Sequence, residues 1–253
     1  MMEFFNNVAE ILKEHGSDFL KGMGSTLYVS LLSTILGLVI GLLVGIVRTI
    51  PVSENKVKRA IQKVIDFILS AYIEIFRGTP MMVQAMVIYW GFASVSSIDV
   101  MLPSVINTFA IIIVTINTGA YIAEIVRGGI MSIDKGQSEG AHAIGMGHFK
   151  TMFYVIIPQV IKNILPAVAN EFVINIKDTS VLNVISFSEL FFYAKITAKE
   201  TFLTFEVYSI ICVLYFIMTF TVTRILKLIE KKLAGKHNYV LNETPSKTKE
   251  VEA

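Results

Sequence analysis

Residues 138–158 have the sequence SEGAHAIGMGHFKTMFYVIIP and form the least apolar interior segment of a very apolar chain. Glycines at positions 136, 140, 145 and 147 prevent a long helix from running through this segment undisturbed. Glu139 to Ile144 can still form a helix of about two turns, which Gly145 would end. The flanking apolar runs indicate membrane spans. We therefore predict a short helix on a loop between two spans, available to a soluble partner; a plain connecting loop is the alternative.

The composition of the chain supports membrane spans on both sides of this loop. Of its 253 residues, 54% are hydrophobic and 17% are charged, whereas about a quarter are charged in a soluble domain. The single cysteine, Cys212, excludes an intrachain disulfide. A zinc site would lack its usual ligands, and we expect no metal site. The two histidines of the loop, at positions 142 and 148, are predicted to be surface residues.

The apolar runs predict an all-α polytopic membrane protein with about five transmembrane helices. Residues 26–47 carry no charge and would span about 33 Å as a helix. Gly37, Gly41 and Gly45 lie on one face of it, where another helix could approach closely. The sequence Arg77-Gly78-Thr79-Pro80 should break the second span. The predicted spans are 26–47, 64–92 with this interruption, 104–126, a short span beginning at 167–176, and 207–223.

Three regions follow from the same patterns. Residues 1–23 are predicted to form an amphipathic helix that lies on the membrane surface, or equally one that packs on a neighbouring helix. Residues 24–232 would form the transmembrane domain, with the loop at 134–150 in the cytoplasm. Residues 233–253 would be a cytoplasmic tail, polar from position 242 onward.

Basic residues predict the orientation in the cell membrane. Lys and Arg concentrate at 48–63, 127–150 and 224–236, and such clusters mark the cytoplasmic side of membrane proteins. With five spans, the N-terminus would be outside and the C-terminus inside. A nucleic-acid patch is not expected, because each cluster is short and adjoins a membrane segment.

The loop resembles the Glu-Ala-Ala motif of ABC importer permeases, which continues with a Gly and an Ile-x-Leu-Pro sequence. Glu139, Ala141 and Gly145 match the motif, and Gly140 replaces its first Ala. The tail is Val155-x-Ile157-Pro158. Three further runs are similar to those of polar amino-acid permeases: Arg77 to Pro80 with Gln84, Ala120 to Glu124 followed by Arg127 to Ile130, and Lys177 to Ser180.

This resemblance implies the permease fold of a type I ABC importer and a set of partners. The chain would be one of a homodimeric or heterodimeric pair of permease subunits, embedded in membrane lipid. It would act with an ABC ATPase and an external substrate-binding protein or domain. The resemblance also implies that the short helix docks on the ATPase, through Glu139, Gly140, Ala141, His142, Ala143 and Gly145. The chain would need no cofactor of its own, since ATP and Mg would bind the partner ATPase. No phosphate-binding loop is formed around Lys150, where the preceding residue is Phe149 rather than Gly.

Ionisable residues inside the spans are the candidates for substrate binding, because each is costly to bury. Glu171 and Asp178 are two helical turns apart and share a face, which could hold an ammonium group. Thr179 and Ser180 could offer amides to a carboxylate at a helix break, and Arg77 is a second carboxylate ligand. Alternatively, Glu171 pairs with Lys177 or Arg77, and Asp178 caps a helix. The predicted substrate-binding residues are Arg77, Gly78, Thr79, Glu171, Asp178, Thr179 and Ser180.

These residues predict an ATP-driven importer of polar amino acids, with glutamine or a cationic amino acid (arginine, lysine or histidine) as substrate. We expect the chain itself not to be an enzyme. One alternative is an ion-coupled secondary amino-acid transporter, which would need more membrane-embedded acids and usually an internal repeat. A membrane-embedded enzyme would need a convergent set of catalytic groups, and none is evident in the sequence.

Overall fold

The computed structural model describes residues 1–233, and all regular secondary structure in this part of the chain is helical. The elements follow in the order α1 (Met2–Val47), α2 (Lys56–Gly78), α3 (Met81–Val95), α4 (Pro103–Met131), α5 (Lys135–Ala143), α6 (His148–Thr151), a π-helical turn (Met152–Ile156), α7 (Ile157–Asp178), a 3-10 segment (Thr179–Ile185), α8 (Leu190–Thr201) and α9 (Thr204–Leu233). The predicted tail lies outside the described residues.

Within residues 1–233, four helical segments are long and apolar enough to cross a membrane, namely Met2–Val47, Pro103–Met131, His148–Ile185 and Thr204–Lys232. α3 is a fifth, shorter apolar helix of 15 residues. The predicted all-α polytopic fold with about five transmembrane helices is confirmed. The break in the second span is also confirmed, since α2 ends at Gly78 and α3 begins at Met81.

The fourth span is longer than the sequence suggested. The sequence predicted a short span beginning at residues 167–176, and that prediction was wrong, because α7 begins at Ile157. Pro158 lies in the first turn of α7, directly after the π-helical turn Met152–Ile156, and Pro166 lies inside the same helix. Helix-breaking residues are tolerated in membrane helices where neighbouring helices pack against the freed backbone.

The N-terminal segment is continuous with the first span, because α1 runs through the expected boundary at 23/24 without interruption. Ile11 and Phe19 are buried in a cluster with Leu190 of α8 and Val207 of α9. Of the two alternatives for this segment, packing on neighbouring helices is therefore the one in the structure.

The glycine face of α1 packs on α4, as predicted. A Cβ atom at Gly41 would lie 2.5 Å from Ile122 Cγ2 and 2.9 Å from the backbone nitrogen of Ala123. Gly37 and Gly45 are similarly close to Thr118 and Val126. Because backbone atoms lie within this distance, the two helices would have to separate to accept any side chain at Gly41.

Candidate functional site

At the first break in the membrane region, between α2 and α3, the buried side-chain amides of Gln84 and Asn117 bond to the backbone. Thr79 and Pro80 are extended between α2 and α3. The Nε2 atom of Gln84 donates to the carbonyls of Phe76 and Thr79, both at 2.9 Å, and to the Thr79 hydroxyl at 2.8 Å. Asn117 of α4 donates to the Phe76 carbonyl at 3.2 Å and to Gln84 Oε1 at 2.9 Å. Side chains thus satisfy the carbonyls of Phe76, at the end of α2, and of Thr79, which follows it.

The second break follows α7, where the chain changes to the 3-10 segment at Thr179. Just before it, the Asn175 amide donates to the Thr34 hydroxyl of α1 at 2.8 Å. The Thr118 hydroxyl of α4 donates to Asn175 Oδ1 at 3.1 Å. Thr34, Thr118 and Asn175 are all buried. This polar node therefore fixes the end of α7 to two neighbouring helices.

The two candidate acids flank this node on one face of α7. Glu171 is four residues before Asn175 and Asp178 three residues after it, which places all three on the same side of the helix. Glu171 is half-buried and Asp178 is exposed. Within residues 1–233 neither acid forms an ion pair, so the pairing of Glu171 with Lys177 or Arg77 is not present. The Asp178 side chain makes no capping hydrogen bond either.

Arg77 is exposed at the end of α2, and its guanidinium lies over the ring of Tyr121, 5.4 Å from the centroid. Glu171 and Asp178 lie on α7, which leads into the second break, and Arg77 lies at the first break. One positive and two negative groups therefore lie near the two breaks without direct contact. A zwitterionic molecule carries charges that complement both kinds of group.

The remaining predicted ligands differ in their accessibility. Gly78 and Thr79 are exposed at the first break, whereas Thr179 is fully buried and donates its hydroxyl to the Ile176 carbonyl at 3.1 Å. Ser180 lines an open cavity of about 320 Å³ with Lys177, against α8 and α9. Neither Glu171 nor Asp178 lines that cavity. The structure thus does not bring Ser180 together with the acids.

An ion cluster connects α1, α2 and α4. It lies near the C-terminal ends of α1 and α4, where basic residues are found. Arg48 contacts Asp66 of α2 at 3.1 Å and Glu124 of α4 at 3.2 Å, while Arg127 contacts Glu124 at 2.9 Å. The side chains of Arg48 and Glu124 are 19% and 23% exposed. The spacing of Glu124 and Arg127 could have indicated their contact, but the link to Arg48 and Asp66 depends on helix packing.

The short helix α5 has defined ends. Asp134 accepts a hydrogen bond from the Gly136 amide at its start. At its end the Gly145 amide donates to the His142 carbonyl and the Met146 amide to the Ala141 carbonyl, with Gly145 at φ +84°. This is the Schellman arrangement, which requires a left-handed residue. The prediction of a helix ended by Gly145 is confirmed.

The predicted docking residues divide into two groups. Glu139, Gly140, His142, Ala143 and Gly145 are exposed, whereas Ala141 is buried against the rest of the chain. Ile144 and Phe149 add large exposed apolar side chains, at 79% and 78% exposure. Ala141 therefore anchors the helix, and the other residues form a free surface with an apolar centre.

Several structural residues were not identified from the sequence. Glu189 is fully buried and caps α8, accepting from the amides of Phe191 and Phe192 and from the Tyr215 hydroxyl. Glutamate is not among the preferred capping residues, so no sequence pattern pointed to this role. Thr118 and Asn175 were also missed, since isolated polar residues in apolar runs do not reveal their partners.

Comparisons with known proteins agree with this architecture. Residues 37–235 match the family described as "Binding-protein-dependent transport system inner membrane component". The glutamine transport system permease protein GlnP of Escherichia coli (strain K12) is 37% identical over 169 residues, which cover 64% of this chain and 73% of that protein. The octopine transport system permease protein OccM of Rhizobium radiobacter is 37% identical over 163 residues, covering 63% and 66%.

A solved structure is similar over most of the chain. The crystal structure of an amino acid ABC transporter with histidines superimposes with a TM-score of 0.74 and 36% sequence identity. The alignment covers 87% of this chain and 96% of the solved one.

Proposed function

The chain belongs to the family of inner membrane components of binding-protein-dependent transport systems, and from that premise we propose that its substrate is a polar amino acid bound between the two helix breaks. The chain is a multi-pass permease subunit of an ABC importer, and ATP hydrolysis belongs to a separate subunit. Importers of this family generally combine a pair of permease subunits with ATPase subunits and a substrate-binding protein.

The polar amino-acid assignment has two supports. Two relatives are permeases for glutamine and for octopine, and the solved relative is an amino acid transporter. The observation in this chain that carries the assignment is the pair of acids, Glu171 and Asp178, which have no ion-pair partners among residues 1–233, while Arg77 lies at the other helix break. Arg77 would bind the α-carboxylate and Asp178 the α-ammonium, while Glu171 would meet a cationic side chain.

Gly78 and Thr79 would contribute accessible backbone at the first break. Thr179 would act by shaping the second break, because its buried hydroxyl already bonds the Ile176 carbonyl. Ser180 is not included in the proposed site, since it lines a separate cavity that neither acid lines.

The exposed surface of α5 would dock on the ATPase, with Ile144 as its apolar centre and Ala141 as its anchor. The basic clusters support the proposal that this loop is in the cytoplasm, with the N-terminus outside and the C-terminus inside. Closure of the ATPase pair on ATP would then move α5 and the attached start of α7. That motion would open the site to alternate sides of the membrane.

The substrate proposal is tested by direct binding to the purified complex of permease and ATPase. The external binding protein is omitted, because its own affinity would otherwise set the apparent KM. Labelled arginine and glutamine are titrated against wild type, Glu171→Gln and Asp178→Asn, and binding is normalised to assembled complex. Glu200→Gln, at an exposed position outside the site, is the matched control.

We expect Asp178→Asn to weaken both amino acids, and Glu171→Gln to weaken arginine far more than glutamine. A charged hydrogen bond contributes about 1.5–3 kcal/mol, which corresponds to roughly a tenfold to hundredfold loss of affinity. If Glu171→Gln lowers the binding of arginine and of glutamine only in proportion to the yield of folded complex, Glu171 is not a ligand. If the wild-type complex binds neither arginine nor glutamine in this titration, the proposed substrate site is wrong.

A further inference from the structure

Two adjacent residues of α4 hold the two helix breaks. Asn117 bonds the Phe76 carbonyl and Gln84 at the first break, and Thr118 bonds Asn175 next to the second. Successive residues of an α-helix point about 100° apart, so one turn of a central helix can contact two different neighbours. Both breaks are thus attached to the same turn of α4.

At the first attachment, the side-chain amide donors of Asn117 and Gln84 and the side-chain oxygen of Gln84 all form hydrogen bonds. Asn117 and Gln84 are both buried, and the amide of Asn117 divides its donors between Gln84 and the Phe76 carbonyl. Gln84 in turn donates to the Thr79 carbonyl and hydroxyl. Loss of Asn117 would leave the Gln84 oxygen without its donor and would weaken the anchoring of the segment that carries Arg77.

The second attachment lies between the candidate acids. Asn175 occupies the same face of α7 as Glu171 and Asp178, and it is the only one of the three that is buried. Its carbonyl oxygen accepts from Thr118, and its amide donates to Thr34 of α1. The rotation of α7 that would move both acids away from Arg77 would also break these bonds.

We propose that Asn117 and Thr118 are positioning residues that fix the two breaks relative to each other and so set the separation of Arg77 from Glu171 and Asp178. The proposal rests on the proposed substrate site but concerns residues that do not contact substrate. α4 acts here as a common support, so displacement at either break changes the geometry of the whole site.

The chain provides a matched control on the same helix. Thr115 is buried like Thr118, but in the part of the chain that the structure describes its hydroxyl has no hydrogen-bond partner. Thr118→Val and Thr115→Val therefore remove the same group from similar surroundings, and only one of them removes a bond. Thr118→Ser keeps the hydroxyl and should restore the wild-type behaviour. Asn117→Leu removes the first attachment at nearly constant volume.

The first measurement is the Kd of labelled arginine and glutamine for the purified permease–ATPase complex. One neutral hydrogen bond corresponds to about a twofold to tenfold change in affinity. We expect Thr118→Val and Asn117→Leu to raise the Kd of both amino acids by about this factor, and Thr115→Val and Thr118→Ser to leave it unchanged. A purely structural role would lower the yield of assembled complex and leave the Kd of the assembled fraction at its wild-type value, which would overturn the proposal.

The second measurement needs no substrate. Hydrogen–deuterium exchange of the assembled complex should be faster at residues 79–84 in Asn117→Leu and at residues 179–185 in Thr118→Val, and should not change in Thr115→Val. If the wild-type complex binds no amino acid, the proposed substrate fails, and exchange alone decides the positioning role. Exchange at both breaks that matches the Thr115→Val control would refute it.

Discussion

Gly140 inside α5 and Gly145 just after it provide a test of docking in which substitution to alanine should have opposite effects. Neither Gly140 nor Gly145 has an atom within 4 Å of the place where a Cβ would be added, so steric crowding does not distinguish them. Gly140 lies inside the helix, whereas Gly145 follows its end with φ +84°. Gly140→Ala should stabilise the helix, and Gly145→Ala should destabilise its end.

The expected magnitudes follow from the backbone alone. Alanine in place of glycine inside a helix is favourable by roughly 0.5–1 kcal/mol. A non-glycine residue in the left-handed conformation costs roughly 1–2 kcal/mol. The two variants should thus differ by about 1.5–3 kcal/mol in the stability of the helix end. If the ATPase binds only the formed helix, this is roughly a tenfold to hundredfold difference in affinity.

The assay measures the Kd of the cognate ATPase for the permease and the ratio of amino acid transported to ATP hydrolysed in proteoliposomes. Gly145→Ala should weaken ATPase binding and lower the transport ratio, while Gly140→Ala should equal or exceed wild type. Gly145→Asn should lie between alanine and glycine, because asparagine tolerates the left-handed region. Equal losses for the two alanine variants, or wild-type behaviour of Gly145→Ala, would refute the reasoning.

Three further predictions concern packing, a buried cap and orientation. Gly41→Leu should sharply reduce the yield of folded protein, because its Cβ would meet the backbone of α4. Gly24→Leu should not, because there is open space at that position. Fluorescence-detected size exclusion compares the two yields. Glu189→Ala should lower the midpoint of thermal unfolding more than Glu189→Gln, since alanine leaves two amides of α8 and the Tyr215 hydroxyl without an acceptor; an unchanged midpoint would contradict the capping role. In a Cys212→Ser background, a cysteine at Ser97 should react with an impermeant thiol reagent from outside and one at Lys135 only after permeabilisation; the reverse pattern would invert the proposed topology.

Local chemistry explains which parts of the fold could be predicted. The glycine face of α1 and the end of α5 depend on residues a few positions apart. The spacing of these residues in the sequence was therefore enough to predict both features. The break at Thr79 and Pro80 was predictable for the same reason, because proline removes a backbone donor wherever it occurs. The docking residues followed from a motif confined to one short segment.

Other features depend on partners that are distant in the sequence. Asn175 bonds Thr34, which is 141 positions away, and no periodicity of either helix indicates this contact. The N-terminal residues were assigned to two environments, membrane surface or neighbouring helix, because an apolar stripe fits both. The fourth span was predicted to begin after Pro166, although packing around a membrane helix can accommodate a proline inside it. The positions of Glu171 and Asp178 were predictable as a shared face, but their lack of ion-pair partners in residues 1–233 was not.

The length of α1 has a consequence for the order in which the protein is made. This 46-residue helix is synthesised before α8 and α9, yet its N-terminal half packs against both of them. Ile11 and Phe19 therefore lack these neighbours until α8 and α9 have been synthesised. Contacts of such large sequence separation form slowly and leave apolar surface uncovered in the meantime. The nascent chain should thus depend on the insertion machinery or lipid to cover this half of α1, and a ribosome stalled before α9 should yield a protease-sensitive N-terminus.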